Sequence, residues 1–93
     1  MSDNIDDIIA FEEGTLDHQK MIEMFQRMIN DGSVWSLQGS YGRIAMDLIE
    51  SGECLLGEHG NHDSWGNYIP SRTEVKPGTK GSVEYQREKL DIF

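Results

Sequence analysis

The run from Asp17 to Gly32 constrains the fold of this 93-residue chain more than any other feature. Its apolar residues recur at intervals of three and four, the spacing of one face of an α-helix: Met21, Ile22, Phe25, Met28 and Ile29. Asp17 is a preferred N-cap residue, and Leu16 before it can pack on Met21 as a hydrophobic staple. Gly32 can close the helix in the left-handed conformation. The run therefore predicts an amphipathic helix with defined ends.

Two more helical patterns flank this run. The first, from Asp3 to Glu13, carries Ile5, Ile8 and Ile9 at helical spacing and ends at Gly14. The other starts at Gly39-Ser40, is closed by Ser51-Gly52 and repeats its apolar residues at three and four: Tyr41, Ile44, Ala45, Leu48 and Ile49. Between the second and third helices, Ser33 to Gln38 forms either one helical turn capped by Ser33 or an extended segment.

The pattern changes at Gly57. Turn-forming residues dominate from His59 to Pro70, and the run from Lys76 to Ser82 has no periodicity. We expect Trp65, Tyr68 and Ile69 to pin this part on the helices, and residues 83–93 to form a helical turn or two. The sequence thus predicts an all-α fold: a three-helix bundle over residues 1–56, with the short turn as a fourth element, followed by an extended, largely irregular tail over residues 57–93.

Charge separates the same two parts. The net charge is −9, and residues 1–56 carry −8 of it, from eleven acidic and three basic residues. An acidic chain does not suit phosphate backbones, so direct binding to nucleic acid is disfavoured. One cysteine, no apolar leader and no membrane-spanning run predict a cytoplasmic protein.

Metal and enzyme chemistry have little support in the sequence. Cys54, His59, His62 and Asp63 are potential zinc ligands, but they form one cluster where a metal site normally has ligands from two sides of a turn. Ser36 and Ser40 lack a plausible base and orienting group. We therefore expect no cofactor, no bound metal and no catalytic residues.

The stretch from Trp35 to Arg43 is distinctive because its paired glycines bracket Ser40-Tyr41. Trp, Tyr and Arg dominate protein-binding hot spots, so this stretch is either a recognition surface or the corner that joins two helices. We favour the corner for Trp35 and Tyr41, and Arg43 fits both roles. Met24 and Met46, near the edges of their apolar stripes, are candidates for an interface.

The chain resembles a family of short, uncharacterised tailed-phage proteins over residues 5–56. The resemblance rests on Ile9-Ala10-Phe11-Glu12 to Gly14, on Ile22-Glu23-Met24-Phe25-Gln26, and on Trp35-Ser36-Leu37-Gln38-Gly39-Ser40-Tyr41-Gly42-Arg43 up to Leu48-Ile49-Glu50. It implies a phage accessory protein expressed in a bacterial cytoplasm and implies no activity.

These features predict a non-enzymatic accessory factor that binds a host or phage protein. An acidic helical surface formed by Asp6, Asp7, Glu12 and Glu13, together with Arg43, would modulate or inhibit a host nucleic-acid-handling or defence protein. One alternative is the terminal motif Leu90-Asp91-Ile92-Phe93, which resembles the tails that bind bacterial sliding clamps and single-stranded-DNA-binding proteins. Another is a structural module that forms a homo-oligomer.

Overall fold

The computed structural model describes residues 4–37, 40–63 and 65–90, and the side chains of residues 4–7 lie outside that description. In chain order the elements are α1 (Asn4–Glu13), α2 (His18–Asp31), a 3-10 turn (Ser33–Ser36), α3 (Tyr41–Glu50), β1 (Asn61–His62), β2 (Tyr68–Ile69) and α4 (Val83–Leu90).

The three predicted helices of the first part are confirmed, and so are the caps of α2. Asp17 accepts a hydrogen bond from the backbone N–H of Lys20 at 2.8 Å, and Gly32 has a φ of 83°. The short segment after Gly32 is helical, with Val34 and Trp35 buried. It is a 3-10 turn whose cap position is held by Gly32, not by Ser33.

The prediction of an all-α fold with a largely irregular tail is wrong. β1 and β2 pair antiparallel, with Asn61 opposite Ile69 and His62 opposite Tyr68, and α4 follows them. Each strand has two residues, too few for an alternating apolar pattern to be recognised. α4 confirms, as far as Leu90, the helical turn or two predicted for residues 83–93. None of its eight residues is buried, so no apolar stripe marked its length.

The core lies between α2, α3 and the 3-10 turn. It includes Phe25, whose ring lies 5.5 Å from that of Phe11 and 6.0 Å from that of Tyr41. Cys54, Leu56 and Ile69 bring the second half of the chain into the same core. Met24 is fully buried, so it belongs to this core and the interface predicted for it is wrong, whereas Met46 is 39% exposed.

Polar contacts hold the segment after α3 against α2. The Gln26 amide donates to the carbonyl oxygen of Leu55 at 3.1 Å and accepts from its N–H at 2.7 Å. Arg72 donates to the carbonyl oxygen of Leu56 at 2.8 Å and to Asn30 Oδ1 at 2.7 Å. These contacts fix the β1–β2 hairpin on the same body as the helices.

Within the described part of the chain, none of the helices combines the length and the apolar character needed to cross a membrane.

Candidate partner-binding surfaces

The hairpin, the 3-10 turn with Leu37 after it, and the first two turns of α3 line an open pocket with a volume of about 310 Å³, which we call the corner pocket. On one side it is lined by Trp35, Leu37, Gly42, Arg43 and Met46. Asp63, Trp65 and Ile69 of the hairpin line the other side. Residues of the distinctive Trp35–Arg43 stretch thus meet a segment that lies at least twenty positions further along the chain.

Trp35 and Trp65 play different roles in this pocket. Trp35 is 5% exposed and packs in the core, as the corner interpretation predicts, whereas Trp65 is 86% exposed. The expectation that Trp65 and Tyr68 pin the tail is wrong: Ile69 is buried, and Tyr68 is 52% exposed. Because strand residues alternate between faces, burial of Ile69 turns its neighbour outward.

The exposed Trp65 sits in a turn that Asp63 organises. Asp63 Oδ1 accepts from the backbone N–H groups of Trp65 and Asn67, both at 2.9 Å. Gly66, at a φ of 85°, donates its N–H to the Asp63 carbonyl oxygen at 3.1 Å. The hydrogen bonds to the carboxylate, chiefly the one from the Asn67 backbone, lower the pKa of Asp63 below its ordinary value. The exposed Trp65 is therefore held to Asp63 through its own backbone N–H and lies next to Gly66 and Asn67, which are held in the same way.

Arg43 lies at the edge of the same pocket. Its side chain is exposed, and among the described residues it has neither a hydrogen-bond nor an ion-pair partner. It does not satisfy a carbonyl group of the corner in that part of the chain, as the structural interpretation would require. Gln38 and Gly39 of the corner lie outside the described residues, so the choice between the two roles of Arg43 stays a prediction.

The acidic residues of α1 form the second candidate surface. Glu12 and Glu13 are exposed, and the hydroxyl of Tyr41 donates to Glu12 Oε2 at 2.5 Å. Burial, followed by this hydrogen bond, raises the pKa of Tyr41 to about 12. Asp6 and Asp7 lie on the same helix, and their side chains are outside the described part. We call these four acids, Asp6, Asp7, Glu12 and Glu13, the acidic surface.

The four potential zinc ligands, Cys54, His59, His62 and Asp63, do not form a metal site in the described part of the chain, where no three His, Cys, Asp or Glu side chains gather into one. Cys54 is buried and its thiol donates to the carbonyl oxygen of Ile22 at 3.6 Å. Burial, with a smaller contribution from Glu53, raises its pKa to about 12. His62 is exposed and packs its ring 5.3 Å from that of Tyr68.

The terminal motif is described only at its first residue. Leu90 ends α4 and is 49% exposed, whereas Asp91, Ile92 and Phe93 lie outside the described residues. The proposal that this motif binds replication proteins stays a prediction.

Sequence reasoning missed the corner pocket because its two walls are distant in the chain. One local signal was present. Asp63 with Gly66 three residues later is typical of a turn in which an aspartate side chain binds backbone N–H groups. That signal predicts a tight turn with Trp65 inside it, but it does not reveal which helix lies opposite.

Comparison with known proteins identifies the family of this chain. A comparison with curated proteins and with solved structures gives no significant match. A family model described as "Domain of unknown function (DUF7417)" matches residues 1–72. The matched region covers α1 to α3, the hairpin and Arg72, so it reaches beyond the residues 5–56 on which the resemblance rested. Because this region is most of the chain, the protein belongs to the family described as Domain of unknown function (DUF7417).

Proposed function

We propose that this chain is a tailed-phage accessory protein that binds another protein and has no catalytic activity. Its target would be a host protein that handles nucleic acid or acts in defence, and the acidic surface would inhibit or modulate that target. The exposure of the carboxylates on the helical part of the chain carries the proposal.

The exposure of the acidic residues in residues 1–56 supports the proposal. Seven of the eight acidic residues whose side chains are described in residues 1–56 are exposed, and Glu53 is half-buried. The seven exposed residues are Glu12, Glu13, Asp17, Glu23, Asp31, Asp47 and Glu50. Exposed charges of one sign sum to a field that attracts an oppositely charged surface and accelerates encounter. A basic protein surface is therefore the favoured target.

The target class follows from the same charge. Proteins that bind nucleic acid carry Lys and Arg where phosphates lie. Carboxylates on a folded chain can occupy such a surface in place of phosphates, because both groups accept charge-assisted hydrogen bonds from Arg and Lys. The proposal therefore predicts binding that weakens as salt concentration rises, since salt screens exposed charges.

The thiol and the buried hydroxyl groups of the described part of the chain support a non-catalytic role. The Cys54 thiol is buried with a pKa of about 12, so at neutral pH it is protonated and shielded from substrates. Ser71 and Ser82, the buried hydroxyl residues of the described part, hydrogen-bond to Thr73 and to the backbone carbonyl oxygen of Thr79.

Charge reversal tests the proposal. The wild-type chain and a variant with Asp6→Lys, Asp7→Lys and Glu13→Lys would be used to capture proteins from a lysate of the bacterial host at low salt. The control, Glu58→Lys, Glu84→Lys and Glu88→Lys, makes the same change in net charge at exposed positions outside the first three helices. Glu12 is left intact because it holds Tyr41.

The proposal predicts that the wild type and the control capture the same nucleic-acid-binding protein, and that the α1 variant loses it. Equal capture by all three proteins would rule out the acidic surface. Capture of a target that has no affinity for nucleic acid would rule out the target class.

A further inference from the structure

We infer that the corner pocket is a second binding site, one that takes a segment of a partner protein presenting an apolar side chain next to a carboxylate. The inference goes beyond the proposed function, because it assigns a surface that the acidic residues of α1 do not form. It rests on the proposed function in one respect, that the ligand is a protein.

The apolar part of the pocket suits a side chain. Trp35, Leu37 and Ile69 supply apolar walls, and Met46 adds a flexible thioether chain that adapts to the shape of a ligand. Its volume of about 310 Å³ is at the small end of the range for ligand pockets, roughly 300–1,000 Å³. That size favours one or two side chains over a large ligand.

Trp65 supplies an anchor at the mouth of the pocket. Burying its indole, now 86% exposed, would remove a large apolar surface from water. Hydrogen bonds to Asp63 already restrict the backbone of Trp65, Gly66 and Asn67, which reduces the entropy that these residues lose when a partner covers them. Trp is one of the residue types that are enriched in binding hot spots.

The charges in the pocket favour an anionic ligand group. The Asp63 carboxylate accepts hydrogen bonds from two backbone N–H groups and from the Asn67 side chain. Most of its capacity to accept hydrogen bonds is therefore used by its own neighbours in the chain and not by a ligand. Arg43, in contrast, has no partner among the described residues. Its planar guanidinium matches a carboxylate with two parallel hydrogen bonds.

The net charge decides between two ligand classes. A nucleotide strand would also suit an Arg beside a Trp, because bases stack on aromatic rings and phosphates bind Arg. A strand brings several phosphates, however, into the field of a chain with a net charge of −9. A peptide segment with one carboxylate next to an apolar side chain satisfies Arg43 and the pocket with far less repulsion.

A peptide array tests this directly. Each peptide would have one central pair in randomised flanks, either an aromatic or aliphatic residue followed by Asp, or the same residue followed by Asn or Lys. The full-length chain, Trp65→Ala, Arg43→Ala and Arg43→Glu would be applied, with Arg87→Ala as a control that removes an exposed cation on α4. Circular dichroism would establish that each variant keeps its helices.

We expect the wild type and Arg87→Ala to prefer the apolar–Asp peptides over the apolar–Asn peptides by tenfold or more. Trp65→Ala and Arg43→Ala should remove that preference, and Arg43→Glu should shift it to the apolar–Lys peptides. A structural role for Arg43 would not produce such an exchange of preference.

Three outcomes would overturn the inference. The first is a wild-type preference that does not depend on the residue after the apolar one, and the second is binding that Trp65→Ala leaves unchanged. The third is tighter binding to a ten-nucleotide oligothymidylate than to any apolar–Asp peptide, which would make the pocket a stacking site for nucleotides. Because these variants leave α1 intact, their failure can be told apart from failure of the acidic surface.

Discussion

At the scale of single residues, Gln26 is a clear case of a contact that joins distant parts of the chain. Its side-chain amide pairs with both backbone groups of Leu55, as a neighbouring strand would. It also donates to Asn30 Oδ1, which in turn accepts from Arg72. One face of α2 therefore satisfies polar groups of the segment that follows α3.

We expect Gln26→Ala to lower the free energy of unfolding by about 1–3 kcal/mol, because it leaves the part-buried N–H and C=O of Leu55 without their partner. Urea denaturation measures the change. Gln19→Ala is the matched control: Gln19 also lies on α2 but is exposed and bonds to Glu23, so its loss should cost less than about 0.5 kcal/mol. Equal costs would contradict the role assigned to Gln26.

Cys54 gives a prediction for alkaline pH. Burial raises the pKa of its thiol from 9.0 to about 12 in the folded protein, so between these values the unfolded chain loses a proton that the folded chain keeps. The stabilisation is complete below pH 9 and decreases as the pH rises toward 12. The pKa of Tyr41 is raised from 10.0 to about 12, so this residue also stabilises the folded protein less as the pH rises above 10.

Between pH 9 and 10, where Cys54 is the main contributor, the free energy of unfolding of the wild type should therefore fall by up to about 1.4 kcal/mol. Cys54→Ala is less stable at every pH because it loses packing, but its slope between pH 9 and 10 should be shallower. Urea denaturation across this range measures both slopes. Parallel slopes would mean that the thiol ionises as readily in the folded protein as in the unfolded chain.

At the scale of elements, the sequence predicts a helix when its apolar repeat and its capping residues lie within one short stretch of the chain. The stripe of α2 runs over several turns, and its caps are within four residues of the atoms that they bind, so both could be recognised. The β1–β2 hairpin has two residues per strand, and the register depends on Asp63 holding the turn. Gln26 and Leu55 are separated by 29 positions, and no local pattern predicts that they pair.

The packing of the second half against α2 can be tested at Gly57. A Cβ atom on Gly57 would lie 2.6 Å from the carbonyl oxygen of Ile29, which is backbone and cannot rotate away. Gly57→Ala should therefore lower the free energy of unfolding by about 1–3 kcal/mol. It should also speed hydrogen exchange of the Arg72 backbone amide, which donates to the Gly57 carbonyl oxygen at 2.8 Å.

Gly14→Ala is the comparison for this substitution. Gly14 has a φ of 77°, which costs an alanine about 1–2 kcal/mol of backbone strain. The space around Gly14 is open, so a Cβ atom there collides with no other atom. Urea denaturation and hydrogen exchange compare the two variants. If the hydrogen-exchange rate of the Arg72 amide is unchanged in Gly57→Ala, close packing of the second half on α2 is contradicted.

At the scale of the whole molecule, we propose two binding surfaces, and they lie on different elements. The acidic surface belongs to α1, whereas the corner pocket is built by the start of α3 and the hairpin. The charge separation could be read from composition, since it needs no knowledge of contacts. The pocket could not, because it exists only when residues 63–69 fold back on the Trp35–Arg43 stretch.

The most direct test of the central claim, that the acidic surface occupies a nucleic-acid-binding surface, is a competition measurement. The chain is titrated into the captured partner bound to a fluorescently labelled DNA duplex, and anisotropy reports release of the DNA. We predict that the wild type displaces the duplex, and that the variant with Asp6→Lys, Asp7→Lys and Glu13→Lys does not. A stable ternary complex of partner, DNA and wild-type chain would contradict the claim.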